Sequence, residues 1–310
     1  MEYRKFGQTD LNLSLIGFGT ATLGDIFGNI DPNEATRAVH LAIDNGINFF
    51  DSSPYYGITL AETRLGEALA GKRDRVIVST KCGRYGADQF DFSAKRVTAS
   101  IDESLRRLRT DYVDLFLAHD IEFDDVQQVI HETLPALRKL QEQGKARYIG
   151  FSGFPPKLLR RVAEAVPVDG ILTYCHYNLL NTTMDAVLTG FAQEHGMGLI
   201  NASGLCMGLL TEQGPRDWHP ASQTVKDAGK KAAEFCRRSG ANIADLATRF
   251  CLDHPYVSST LIGIATRQEV EASLRLLETA NDQALLAQVE SILAPAFNCE
   301  WPSGRPENQE

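Results

Sequence analysis

The sequence predicts an α/β protein, a (β/α)8 TIM barrel with a short N-terminal β-hairpin. Three observations lead to this architecture. Short apolar runs alternate with longer amphipathic segments, and successive parallel strands need a helical crossover between them. Polar residues stand at the ends of runs that are far apart in the chain, as in barrels whose sites are built from many strand-to-helix loops. A doubly wound open sheet would give a similar alternation. However, no GxGxxG follows the first run, as a dinucleotide-binding unit of that kind would want.

The elements follow in order. Residues 4–13 read as a hairpin turning at Gly7-Gln8-Thr9-Asp10, placed to plug the bottom of the barrel. The eight strand candidates are 14–18, 48–50, 76–80, 113–117, 146–151, 170–173, 198–200 and 259–262, each too short for a helix and rich in Ile, Val and Leu. Helices fill the gaps. Asp31 caps the first, with Pro32 in its opening turn. Ser93 caps another, whose Val97, Ile101, Leu105 and Leu108 form one buried stripe. A third covers 126–143 and is closed by Gly144. No linker or repeat interrupts residues 1–300, which read as a single domain. The polar tail 301–310, containing Pro and Gly, is expected to be disordered.

Composition narrows the function classes. A chain of 310 residues suits one barrel, and 43% hydrophobic residues is ordinary for a globular protein. A net charge of −9 argues against nucleic acid as a partner, since phosphate binding needs clustered Lys and Arg. No apolar run reaches the ~18 residues of a membrane span, and the first residues do not read as a signal peptide. The expectation is a cytoplasmic protein, monomeric or a weak homo-oligomer. The six cysteines have no CxxC or metal-ligand spacing, so they read as reduced thiols and no metal site is expected. Cys82, Cys175 and Cys206 fall beside strand ends and are candidates for oxidation sensitivity.

The chemistry lies at the strand ends. Asp51 and Tyr56 follow 48–50, Lys81 follows 76–80 and His119 follows 113–117. Neighbouring parallel strands would bring an acid, a phenol, an amine and an imidazole to one mouth. A Lys beside a Tyr favours phenolate and makes the phenol a better proton carrier near neutral pH. Asp51 would hold Lys81 charged and in place, and His119 would orient a hydroxyl or carbonyl oxygen. Alone, Asp51 would read as a helix cap and Tyr56 or His119 as packing. Together at strand ends they are an improbable coincidence.

These motifs resemble the aldo-keto reductase superfamily along nearly the whole chain. The carrying residues are Gly17-Phe18-Gly19-Thr20, Asn48-Phe49-Phe50-Asp51 with Tyr56-Gly57, Thr80-Lys81, Asp111-Tyr112-Val113-Asp114-Leu115 before His119, and the run from Gly144 to Ser152. The resemblance implies the barrel and hydride transfer with a nicotinamide cofactor, without metal. It makes Tyr56 the acid/base, Lys81 and Asp51 its tuning pair, and His119 the substrate orienter. It assigns cofactor contacts to Thr20, Asp51, Ser152, Gly153, Tyr174, Ser203, Leu205, Gly208, Gly263, Arg267, Glu269 and Ser273. Many members carry Ser-Asn where this chain has Ser152-Gly153, a Gln where it has Tyr174 and a stacking aromatic where it has Ala202, so those contacts must be remade.

Within the superfamily the chain looks most like the aldose 1-dehydrogenases of the L-galactose dehydrogenase type. That likeness rests on Ser53-Pro54-Tyr55-Tyr56-Gly57, Lys81-Cys82-Gly83-Arg84-Tyr85, His119-Asp120-Ile121-Glu122-Phe123, Tyr174-Cys175-His176-Tyr177 and the stretch from Met207 to Pro215 followed by Trp218-His219-Pro220. It implies oxidation of a free aldose at C1 to the lactone, with L-galactose favoured and L-fucose close behind. Tyr55, His119, His176 and Trp218 are the candidate sugar contacts, with His176 reading rather more as a hydrogen-bonded wall residue and Trp218 as either substrate wall or packing. After the last strand, NADP-preferring relatives place a cation, a hydroxyl and an Arg; here Gly263, Ile264 and Glu269 stand there, which favours NAD. Arg267 is the one dissenting residue. The rivals are a pyridoxal dehydrogenase or NADPH-dependent aldehyde reductase on the same scaffold, and a slow nucleotide-sensing subunit.

Overall fold

In the computed structural model, which describes residues 1–26 and 28–309, the chain closes into the expected barrel. A hairpin of β1 (Tyr3–Lys5) and β2 (Asn12–Ser14) comes first. The barrel strands are β3 (Ile16–Gly19), β4 (Phe49–Asp51), β5 (Ile77–Cys82), β6 (Val113–Ala118), β7 (Ala146–Gly153), β8 (Gly170–Tyr174), β9 (Gly198–Ala202) and β10 (Ser259–Gly263). They pair in parallel in chain order, and β10 closes on β3. Each strand lies within a residue or two of its predicted run.

The helices are α1 (Pro32–Asp44), α2 (Leu60–Ala68), α3 (Ala94–Leu108), α4 (Val126–Gln128), α5 (Leu134–Glu142), α6 (Pro156–Ala165), α7 (Gly190–His195), α8 (Gln223–Arg238), α9 (Ile243–Leu252), α10 (Arg267–Arg275) and α11 (Gln283–Leu293). Asp31 and Ser93 cap α1 and α3 through their side chains, as their sequence positions imply. A π-helical turn, Val129–Thr133, joins α4 to α5, so the segment 126–142 is one helix with a bulge.

The hairpin seals the bottom of the barrel. Phe6, Leu11 and Leu13 are buried among Phe49, Leu115, Leu172, Ile200 and Leu261. The Phe6 ring sits so close to the start of β8 and β9 that a Cβ on Gly170 or Gly198 would meet it at 2.0 or 2.1 Å. With this end filled, the opposite end is left for chemistry.

The tail departs from the expectation of disorder over 301–310. Residues 301–309 dock against the turn after β6. Asn308 is buried and donates to the carbonyls of Glu122 and Asp124. Arg305 pairs with Asp124, and the Ser303 hydroxyl donates to Glu122. Hydrogen bonds to a buried acidic turn, together with Trp301 packed on Phe154, anchor this otherwise polar segment, so mean hydropathy does not reveal it.

Candidate active site

The upper rim of the barrel places the predicted four side chains together. Asp51 is the last residue of β4, Lys81 is near the end of β5, and His119 follows β6 directly. Tyr56 reaches in from the loop after β4. Gly57 (φ +62°) lets that loop pack, because a Cβ there would lie 2.1 Å from the Gly24 carbonyl oxygen. Ile58 and Thr59 follow in the left-handed region, which is uncommon for β-branched residues and adds local strain behind Tyr56.

Lys81 is the hub. Its Nζ donates to Asp51 Oδ2 at 2.5 Å, to the Ser52 carbonyl at 2.8 Å and to Tyr56 Oη at 3.2 Å. An ammonium has three donors and no acceptor, so these partners saturate it. Tyr56 Oη therefore accepts from Lys81, and its own proton is left for another acceptor. Thr20, expected at the cofactor, is buried and donates instead to the Asp51 carbonyl, bracing the end of β4.

Burial and pairing pull in opposite directions here. Burial raises Asp51 above its ordinary range, opposed by Lys81. Lys81 is itself raised, because Asp51 and Tyr56 outweigh the burial that would lower it. The Tyr56 phenol is pushed up to about 12 by burial, with Lys81 pulling it back only in part. The expected direction of the Lys81 effect holds, but the near-neutral phenol does not follow, because desolvation of the phenolate is the larger effect.

His119 is anchored through its Nδ1. Its Nδ1 lies 2.9 Å from Ser53 Oγ, and that oxygen already accepts from the Tyr55 amide at 3.1 Å. The Ser53 hydroxyl still has its own proton to donate to Nδ1, an arrangement that leaves the ring proton on Nε2, which lies 3.6 Å from Asp120 Oδ2. Burial first, then Lys81 and Arg84, hold the imidazole well below its usual pKa, so it is neutral. The Tyr56 and His119 rings meet edge-on, centroids 5.7 Å apart, and Tyr55 lies 6.0 Å from His119.

The other predicted contacts divide. Ser152, Gly153, Tyr174 and Gly263 stand at the ends of β7, β8 and β10. Ser152 Oγ accepts from the Asp120 amide, and the Tyr174 hydroxyl donates to Glu122. A Cβ on Gly153 would meet Glu122 Oε2 at 2.6 Å, so Glu122 occupies the space an Asn side chain would need. Ser203 lies in the left-handed region and Gly208 has φ +100°, both in the loop after β9 that also carries Leu205. Ser273 bonds within α10. His176 is buried against Phe154, with Nδ1 on the Tyr174 carbonyl, and reads as a wall residue. Trp218 is 59% exposed and stacks on His219.

Two residues at the cofactor end act differently from expectation. Glu269 Oε2 accepts from the amides of Ala265 and Thr266, closing the capping box of α10. Arg267 is held by Glu34 of α1, whose carboxylate takes both its amide and its guanidinium. Glu34 is thereby drawn down to about 2. Of the three thiols expected to be oxidation-sensitive, Cys82 and Cys175 are raised by desolvation, which makes them poor nucleophiles and argues against that role, and Cys206 is buried.

Sequence reasoning did not assign roles to Ser53, Arg84, Asp120, Glu122 or Trp301. Arg84 Nη1 and Asp120 Oδ2 pair at 2.5 Å, and Asp120 lies 3.6 Å from His119 Nε2. Burial raises Asp120, opposed by Arg84. Trp301 of the docked tail packs on Phe154 and His219. The first four were visible only as members of strand-end motifs, with no spacing rule to pair them.

Among the described residues there is no metal-binding cluster and no helix long and apolar enough to cross a membrane. Asp, Tyr, Lys and His move protons but accept no electron pair, so the set fits a redox reaction only with a cofactor. The rim suits a nicotinamide dinucleotide. Gly263 is exposed and a Cβ there would touch only the Thr22 methyl, so backbone can approach a ligand.

Comparisons with known proteins agree with this geometry. A model of the aldo/keto reductase family matches residues 15–294. L-galactose dehydrogenase of Arabidopsis thaliana is 46% identical, covering 99% of each chain. D-arabinose 1-dehydrogenase of Saccharomyces cerevisiae is 31% identical over 86% of this chain and 87% of its own. The solved holo form of an aldo-keto reductase from Bacillus halodurans superposes with a TM-score of 0.81 at 25% identity, covering all of both chains.

Proposed function

The chain belongs to the aldo/keto reductase family, and from that premise we propose that it is an NAD-dependent aldose 1-dehydrogenase. It oxidises the C1 hemiacetal of a free sugar to the lactone, L-galactose first and L-fucose next. The observation that carries the chemistry is the saturated Lys81 ammonium, bound at once to Asp51, Ser52 and Tyr56. What supports the sugar is the end-to-end likeness to a plant L-galactose dehydrogenase. NAD over NADP is supported by the absence of a cation at Gly263 and Ile264 and by the engagement of Arg267 with Glu34.

When bound, the nicotinamide supplies the two-electron acceptor and a positive charge at the barrel mouth. Ser152, Gly153, Tyr174 and the loop carrying Ser203, Leu205 and Gly208 are the residues that would hold it. Tyr56, as phenolate, takes the anomeric hydroxyl proton at Oη. C1 loses its hydrogen with the electron pair, and the C1 oxygen becomes the lactone carbonyl. Lys81 stabilises the phenolate, and Asp51 keeps Lys81 in place. His119 donates from Nε2 to the reacting oxygen as its charge changes, a neutral donor held to that task by Ser53.

The test is a panel of L- and D-aldoses with NAD and NADP, read by cofactor absorbance, on wild type and Tyr56→Phe. L-galactose and L-fucose turn over with NAD, and their D-enantiomers are at least about tenfold poorer. Tyr56→Phe loses at least about a hundredfold in turnover, the usual scale for a lost general acid–base, while NAD affinity is kept. Inert aldoses with ready turnover of pyridoxal or simple aldehydes would overturn the sugar and leave the hydride transfer. Full activity of Tyr56→Phe would overturn the acid–base assignment.

A further inference from the structure

Building on the sugar reading, we propose that Asp120 and Arg84 form a second polar subsite, which takes the hydroxyl on the carbon next to the reacting one. Asp120 Oδ2 lies 3.6 Å from His119 Nε2, the atom that faces the reacting oxygen. The two oxygens of a vicinal diol stand about a hydrogen-bond length apart. An oxygen held by Nε2 therefore brings its neighbour within reach of the Asp120 carboxylate and the guanidinium paired with it.

The pair is built and fixed. Asp120 is held in the left-handed region (φ 54°), with its amide donating to Ser152 Oγ. The Arg84 guanidinium lies 4.0 Å from the Tyr55 ring centroid, 5.2 Å from Phe90 and 5.0 Å from Phe123. Its Nη1 binds Asp120, while its Nε is buried without a hydrogen-bond partner. The two side chains are 7% and 14% exposed, so little water competes for them.

A buried ion pair is a weak source of stability, because desolvating both charges offsets most of their attraction. Its position beside the catalytic imidazole therefore needs another reason. A hydroxyl both donates and accepts, and a carboxylate next to a guanidinium offers the complementary acceptor and donor. The same pair leaves a site without an adjacent hydroxyl half-satisfied, and so discriminates against simple aldehydes and 2-deoxy sugars. Tyr55 enters as the ring that supports Arg84 and only secondarily as a sugar contact.

The experiment compares L-galactose with 2-deoxy-L-galactose on wild type, Asp120→Asn and Arg84→Lys, with NAD binding followed by fluorescence. Wild type should favour the 2-hydroxy sugar at least about tenfold in kcat/KM, the scale of one charged hydrogen bond. Asp120→Asn should erase most of that preference, with the loss confined largely to the hydroxylated sugar, and Arg84→Lys should narrow it. Should Asp120→Asn not fold, as absent NAD binding would reveal, Arg84→Lys and the wild-type preference decide. Equal treatment of the two sugars by wild type, or equal losses on both in the variants, overturns the subsite while the sugar reading stands. A wild type inert to every aldose overturns the sugar reading and the subsite with it.

Discussion

Replacing Lys81 with Met tests the hub of the site, and the structure sets the size of two separate effects. The side chain is 1% exposed and its ammonium is the charged partner of Asp51, bound to Oδ2 and buried with it. Lys81→Met leaves a buried carboxylate unpaired, and breaking a buried pair from one side costs about 3–5 kcal/mol. Thermal unfolding should therefore occur several degrees lower. The catalytic effect is independent: Tyr56 loses the cation that favours its phenolate, and its ionisation moves still further above about 12. Turnover in sugar oxidation should fall by roughly 10²–10⁴, the range of general acid–base contributions, and should still be rising at the most alkaline pH the protein tolerates. The double variant Asp51→Asn/Lys81→Met removes the stranded charge, so most of the stability returns while the activity does not. The assays are thermal denaturation and kcat against pH, with NAD affinity as the control for folding. Near-wild-type turnover with an unchanged pH profile in Lys81→Met would refute the reasoning. Recovery of activity along with stability in the double variant would show that Lys81 acts only through folding.

Other predictions follow from neighbouring contacts. Ser53→Ala frees His119 Nδ1, so the Nε2–H tautomer loses its preference: kcat should drop about tenfold, NAD affinity should hold, and ring nitrogen shifts should report mixed tautomers; a single tautomer at full activity would contradict the assignment. Wild type should have the higher kcat/KM with NAD, and Glu34→Ala, by releasing Arg267, should raise the NADP-to-NAD ratio, while Glu269→Arg should lower thermal stability because it breaks the capping box of α10. An unchanged ratio in Glu34→Ala would remove Arg267 from cofactor choice. Glu122 is raised to about 8, chiefly by burial, so the stability of its protonated form is complete below its ordinary 4.5 and lost as pH rises through about 8. Glu122→Gln should therefore flatten the fall in melting temperature between about pH 4.5 and about pH 8, and a parallel pH–stability curve in wild type and variant across that window would disprove it.

What could be read from the chain alone is what local chemistry fixes. Alternating apolar runs and amphipathic segments specify strands and helices, and strand order followed chain order around the barrel. Asp31 and Ser93 act as caps where their positions imply. Asp51, Lys81 and His119 were legible because each ends an apolar run, and a parallel barrel carries every strand end to one rim. Tertiary structure decided everything that depends on which side chains meet across long stretches of chain. Glu122 and Ser303 are 181 residues apart, and only folding shows that the polar tail is tied to a buried acid. Arg267 and Glu34 are separated by 233 residues, so their pairing was invisible while Arg267 stood as a free cation. The elevated phenol of Tyr56 has the same origin: charge proximity is hinted at by motif, but desolvation depends on how completely the surrounding atoms exclude water, and that is a property of the packed barrel.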